Sequence, residues 1–320
     1  MHRLHRHSEF LFFAALLALL VGLFSAWSDH FWSPPTFDTI ANRIPQLALA
    51  SLGMTFVLVA GGIDLSVGSV AALAGAAFGG CVIDLGAPVF IGVLAGLGAG
   101  LACGLFNGLV VNWLRMPSFI VTLGMLEIVR GFAYLITHSQ TRYLGERLDF
   151  LQAAIPGTGV SVAFGLAIAL TAAAHFVLTR TVFGRHVVAV GTNEEAARLA
   201  GLSPSRVRAV VFALSGGFAA LGGLCHIARL SAADPNGGTG LELSAIAAAV
   251  IGGTSLMGGR GSMLMTFVGV LIIATLESGL AHLGVSEPVK RVVTGLVIIG
   301  AVAAEATRSR FAARRTFASR

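Results

Sequence analysis

Apolar runs of close to twenty residues, separated by short polar or glycine-rich breaks, follow one another along the whole chain. A helix of about 20 apolar residues matches the ~30 Å hydrocarbon core of a bilayer. On that scale the pattern predicts ten spans, near 10–27, 44–60, 65–83, 87–113, 118–136, 159–179, 209–230, 243–257, 263–283 and 291–306. The runs at 65–83 and 243–257 are Gly-rich or short, and 87–113 is long enough to tilt or bend. The expected fold is an all-α polytopic bundle, a single transmembrane domain over residues 1–320. The first run, Phe10 to Phe24 behind Arg3 and Arg6, also fits a secretory leader. No clear A-x-A cleavage site follows it, so a retained first helix is the expectation.

Composition agrees with the pattern. Apolar residues make up 56% of the chain, charged residues 11%, and mean hydropathy is +0.86. A soluble domain carries roughly 25% charged residues, so this chain lacks the polar surface a water-facing protein needs. Disorder, coiled coil, nucleic-acid-binding domain and disulfide scaffold are excluded on the same figures. The net charge of +6 has a simple cause, because cytoplasmic loops of membrane proteins collect basic residues. Ten spans place both termini on one side, and that side holds 14 of the 21 basic residues, including Arg115, Arg180, Arg185, Arg198, Arg206, Arg208 and Arg260. The predicted cytoplasmic parts are therefore the N-terminus (1–9), a loop at 180–208 and a basic tail at 307–320. No nucleic-acid partner is expected.

Small residues mark where helices should touch. Without a hydrophobic drive between helices in lipid, close backbone approach supplies the association. Gly92, Gly96, Gly100, Gly104 and Gly108 recur every fourth residue and rise about 24 Å along one helix face. Similar seams occur at Ser215, Gly216, Ala219, Ala220 and Gly223, and at Ala245, Ala248, Ala249 and Gly252. Such a bundle suits a transporter or channel.

Catalytic motifs are missing from the sequence. The three cysteines, Cys81, Cys103 and Cys225, lie in apolar runs without metal-ligand spacing. No H-E-x-x-H or G-x-S-x-G occurs, and His226 reads as a packed histidine. The single lysine, Lys290, lies between Val289 and Arg291, so a Walker A phosphate loop is ruled out. Neither an enzyme nor a cofactor-binding chain is expected. Charged residues within spans are costly and tend to face the protein interior. Glu127 and Arg130 have the i,i+3 spacing of a pair, Glu277 has His282 just over a turn away, and Asn107 beside the glycine ladder reads as interhelical glue. Together Glu127, Arg130, Glu277 and His282 support a second reading, an ion-coupled secondary transporter.

Three turn segments carry further signals. In GGIDLSVGS, Gly61 and Gly62 turn the chain and Asp64 or Ser66 is expected to cap the following helix. The loop Phe183–Arg208 contains Gly191, an N-cap at Asn193, Glu194 and Glu195 complementing a helix dipole, and a C-cap at Gly201, after which Ser203-Pro204 restarts a helix. A helix of about seven residues there, presenting Ala196, Ala197, Leu199 and Ala200, is too short to persist alone and should dock on something. The third segment, ELSAIAAAVIGGTSLMGGRGS, sets Gly252, Gly253, Gly258, Gly259 and Gly261 around a turn. Residues 57–68 and 248–259 look alike, which suggests an internal repeat.

With GGIDLSVGS, NGLVVNWLRMPSFIVTLGM (Asn107–Met125), AVGTNEEAARLAGL (Ala189–Leu202) and the third segment in this order, the chain resembles the membrane permease of ribose-type ABC importers over roughly residues 40–305. The resemblance implies a bacterial inner-membrane subunit that pairs with a second permease, a copy or a paralogue. It also implies separate ATP-binding subunits carrying ATP and Mg on the cytoplasmic face, a periplasmic sugar-binding protein outside and a monosaccharide as substrate. By similarity, the stretch around Gly191, Asn193, Glu194, Ala196, Ala197 and Gly201 is the ATPase-coupling segment. The chain departs from the resemblance at Glu277-Ser278-Gly279, where family members often carry Asn before the glycine.

Overall fold

The computed structural model describes residues 2–28, 31–297, 299–300 and 303, and these are almost wholly helical. Helix α1 (His2–Trp27) leads into α2 (Pro34–Val59), which opens on two prolines whose missing N–H groups would be unpaired there anyway. Helix α3 (Val67–Gly79) runs on into a π-helical turn, Gly80–Asp84. Helices α4 (Val89–Leu114) and α5 (Ser118–Thr137) each end on a residue in the left-handed conformation, Arg115 and His138. After β1 (Arg142–Tyr143) and the one-turn α6 (Asp149–Gln152) come α7 (Val162–Arg180), α8 (Val182–Thr192) and α9 (Glu194–Leu199). The chain continues with α10 (Pro204–Leu230), β2 (Ala232–Ala233), α11 (Leu241–Ile251), α12 (Met263–His282) and α13 (287–297). The two short strands pair antiparallel, Arg142 opposite Ala233 and Tyr143 opposite Ala232.

Helix α10 is the hub, packing against α4, α2 and α3, while α12 and α11 pack on each other and on α2. The glycine ladder explains the tightest of these contacts. A Cβ at Gly96 would strike the Ala74 carbonyl of α3. Side chains at Gly100, Gly104 and Gly108 would strike α10 at Gly216, Phe212 and Ala209. The opposite face of α4 turns Phe90, Leu94, Leu101, Leu105 and Leu109 outward, as a bilayer requires. The other seams behave alike: Gly223 abuts Ala71, and Gly269 of α12 abuts the Ala248 carbonyl.

Among the described residues, six helical stretches are long and apolar enough to cross a membrane: Val67–Asp84, α4, α5, α7, α10 and α12. Ala15–Trp27 and α11 are apolar but shorter. Helix α2 carries Asp38, Arg43, Pro45 and Gln46 in its first half. Two sequence expectations change here. The run 243–257 is not one helix: α11 stops at Ile251, where Gly253, with φ +79°, reverses the chain. The segment 180–208 is not a loop bearing one short helix but holds α8 as well, capped by Thr181, whose Oγ1 accepts from Gly184 N. The tail 307–320 and part of the last expected span, 291–306, lie outside the described residues.

Candidate functional site

The three glycine-bearing segments, far apart in sequence, meet at one end of the bundle. Helices α2, α9 and α11 all close with the same device, a left-handed glycine at C′ whose N–H bonds back one turn. At Gly61 the bonds are Gly62 N to Val57 O and Gly61 N to Leu58 O, both 2.9 Å. At Gly253 they are Thr254 N to Ala249 O (3.0 Å) and Gly253 N to Val250 O (2.8 Å). At Gly201 they are Leu202 N to Ala197 O (3.1 Å) and Gly201 N to Arg198 O (3.0 Å). This double bond is the Schellman motif. It also refines the suspected repeat, since Gly61 corresponds to Gly253, one residue away from the alignment the letters suggest.

The turns then touch backbone to backbone. Gly259 N donates to Val59 O at 2.9 Å, joining the α11–α12 turn to the end of α2. Gly191, near the end of α8, fills the gap between them: a Cβ there would overlap the Val59 carbonyl and Gly259 N. One on Gly258 would overlap the Gly191 carbonyl and one on Gly259 would meet Thr192, while Gly62 lies under Phe212. Gly252 packs on the α12 backbone at Met265 and Thr266. Only glycine permits this approach, so α2, α8 and the α11–α12 turn are locked into one junction.

Asp64 anchors the same turn from within. It is 1% exposed and accepts from Ser66 N (3.0 Å), Ser66 Oγ (2.6 Å) and Ser215 Oγ of α10 (2.8 Å). Burial pushes its carboxyl above the ordinary carboxylate range, and the bonds from Ser66 and Ser215 pull it back. Asn107 Nδ2 of α4 donates to Ser66 Oγ at 3.0 Å, so Asn107 is glue between α4 and the turn. From α5, Ser118 Oγ and Thr122 Oγ1 accept from Ile63 N and Leu65 N at 2.9 and 3.0 Å. The expected cap is corrected: neither Asp64 nor Ser66 receives an N–H from within α3, and both hold the turn instead.

Beside this junction stands α9. Asn193 Oδ1 accepts from Ala196 N at 2.9 Å, the expected N-cap. Ala197 is buried against the bundle, Ala196 is exposed and Leu199 is 80% exposed. Glu194 pairs with Arg208 of α10 at 2.6 Å, and Arg208 also donates to Asn112 Oδ1 of α4 at 2.8 Å. Glu195 pairs with Arg198 at 2.7 Å. Pro204 opens α10 as expected, but the expected cap from Ser203 is corrected: its side chain accepts no N–H from the helix. Between α9, α10 and the α4–α5 turn lies a cleft of about 800 Å³ lined by Gly61, Asn112, Arg115, Glu194, Arg198 and Arg208. Asn112 and the α5 hydroxyls went unnoticed in the sequence, where isolated Ser, Thr and Asn give no spacing signal, and Ser215 was read only as a small residue of a packing seam.

The intramembrane charges do not assemble. Arg130 Nη1 donates to the carbonyls of Pro235 and Gly237, the latter at 2.9 Å. Among the described residues no ion pair joins it to Glu127, which lies on the exposed face of α5. The expected Glu127–Arg130 pair is thereby corrected. His282 bonds Thr36 Oγ1 at 3.0 Å and the Ser278 carbonyl at 2.9 Å rather than Glu277. Glu277 instead lines a polar chamber of about 470 Å³ at the end of the bundle away from the junction.

Comparison with known proteins places these features. The family model described as branched-chain amino acid transport system / permease component matches residues 36–302. The ribose import permease protein of Bacillus subtilis is 38% identical over 302 residues, covering 92% of this chain and 91% of that protein. The L-arabinose transport system permease protein of Escherichia coli K12 is 37% identical over 274 residues (84% and 83%). The D-allose transport system permease protein of the same strain is 36% identical over 292 residues (90% and 89%). No solved structure matches the chain. A multi-pass helical bundle whose apolar faces look outward, matched over most of its length, belongs to this family of transport-system permease components.

Proposed function

We propose that the chain is the membrane-spanning subunit of an ATP-driven importer that carries a monosaccharide across the bacterial inner membrane. The relatives transport ribose, L-arabinose and D-allose by name, which supports a neutral sugar of that size. Ten crossings with both termini in the cytoplasm fit the 14 basic residues on that side, with α1, α2, α11 and the last expected span, 291–306, added to the six long apolar stretches. Energy comes from a separate ATP-binding subunit, and a periplasmic binding protein delivers the sugar to the other face. A second permease subunit covers α5, because Glu127 stands among Leu123, Ile128 and Phe132 on an outward apolar face. A carboxylate there is expensive against lipid.

The observation that carries the reading is the glycine junction. Helix α9 exposes Leu199 and is too short to stand alone, yet it follows directly on α8, whose Gly191 is held between the end of α2 and the α11–α12 turn. A push on α9 by the ATPase therefore reaches three spans at once without a flexible link. Replacing Glu194–Gly201 by a Gly/Ser linker is expected to abolish ATP-dependent uptake of labelled sugar while the chain still inserts. Unchanged uptake would remove the coupling role. Nothing in the geometry favours ion coupling, since Glu127, Arg130, Glu277 and His282 each face different surroundings.

A further inference from the structure

The chamber holding Glu277 is built from parts of five helices. Arg43 and Gln46 come from the polar half of α2, His226 from the last turns of α10, Ser244 from α11, Glu277 from α12 and Lys290 from α13. Its volume of about 470 Å³ lies within the ~300–1,000 Å³ range of small-molecule sites. Two features separate it from a gap between helices. First, the side chains of Arg43, Gln46, Ser244 and Glu277 make no hydrogen bond to another described residue and line the open chamber, so their donors and acceptors are available to whatever enters it. Second, the groups are complementary in kind: a carboxylate that only accepts, a guanidinium and an ammonium that only donate, and an amide and a hydroxyl that do both. Lys290 is already paired with Glu287 at 3.4 Å, which leaves the Glu277 carboxylate and two guanidiniums, Arg43 and Arg291, as the charges around the chamber.

We propose that this chamber is a transit site for a neutral polyhydroxylated solute, with Glu277 accepting from adjacent hydroxyls and Arg43 and Gln46 donating to them. This rests on the sugar-importer reading and deepens it, because on that topology the chamber lies on the side from which sugar enters. Each sugar hydroxyl both donates and accepts, so a mixed set of unspent donors and acceptors holds it better than a site of one sign. A carboxylate on the solute would set a second negative charge against Glu277 and occupy the guanidiniums of Arg43 and Arg291 that the hydroxyls otherwise use, so an acid such as gluconate should be held differently from a neutral sugar.

The test uses the full chain with its ATP-binding subunit in proteoliposomes, with Cys81, Cys103 and Cys225 replaced by alanine and Ser244→Cys as reporter. The rate of labelling by a small neutral maleimide is read with and without D-ribose, L-arabinose, D-allose or D-gluconate. The expected result is at least threefold slower labelling by a neutral sugar that the wild-type chain imports, little effect of gluconate, and loss of protection in Glu277→Ala. An unchanged rate with an imported sugar would overturn the proposal. So would equal protection by gluconate, or equal slowing at a control Gln140→Cys, which does not line the chamber. If the wild-type chain imports none of the neutral sugars, the importer reading falls first and takes this inference with it.

Discussion

Asp64 shows how a single buried carboxylate ties a turn to its surroundings. Its oxygens satisfy Ser66 and Ser215 directly, and Ser66 in turn receives Asn107, so α4, α10 and the α2–α3 turn share one polar knot. Removing an acceptor strands these donors away from water, at a cost of about 1–3 kcal/mol for a buried group left unpaired. Asp64→Ala is expected to lower the thermal unfolding midpoint of the detergent-solubilised protein clearly. Asp64→Asn, which keeps one acceptor oxygen, should lower it less; equal midpoints for Ala and wild type would show that the knot is not stabilising. At this scale the glycines were the readable part, because a fourfold spacing names a contact face before any partner is known. Glu277 was visible as a charge but not as part of a chamber, since its neighbours Arg43, Ser244 and Lys290 come from three other helices.

Helix α9 depends on its ends more than on its length. Six residues bring little internal stability, and Asn193 satisfies one of the few N–H groups it exposes. Asn193→Ala should cost about 1 kcal/mol and speed hydrogen exchange of amides 196–199 several-fold, while Asn193→Asp should restore them. Exchange unchanged by alanine would mean that packing of Ala197 alone holds the helix. The cap and the C′ glycine were legible because each has a one-residue signature. Helix α8 was not, since its apolar positions sit in a stretch whose Gly184 and Gly191 read as loop. Both glycines are there for contact: a Cβ at Gly184 would strike the Leu178 and Val177 carbonyls. The break after Ile251 was half legible: Gly252 and Gly253 marked a turn, but Leu256 and Met257 beyond Thr254-Ser255 drew the expected span past it.

For the whole molecule, the contrast between buried α3, α10 and α12 and outward-facing α4, α5 and α7 decides what lies around it. Glu127 distinguishes α5 from the other outer helices and predicts the subunit contact. In a cysteine-free background, single cysteines at Leu123, Gly124, Glu127 and Ile128 should give oxidative cross-links between permease subunits at one or more positions. Cysteines at Ile168 and Phe176 on the outer face of α7 should give none, and cross-linking confined to α7 would move the interface there. The brevity of α11 has a consequence of its own. Eleven residues rise about 16 Å, roughly half the hydrocarbon thickness, so non-helical backbone must descend to meet at least one of its ends. At one end of α11 the segment 234–240 has its Pro235 and Gly237 carbonyls claimed by Arg130, which would spare those oxygens from facing lipid at membrane depth. A backbone stretch satisfied in this way can stand at depth in place of the helical turns that α11 lacks.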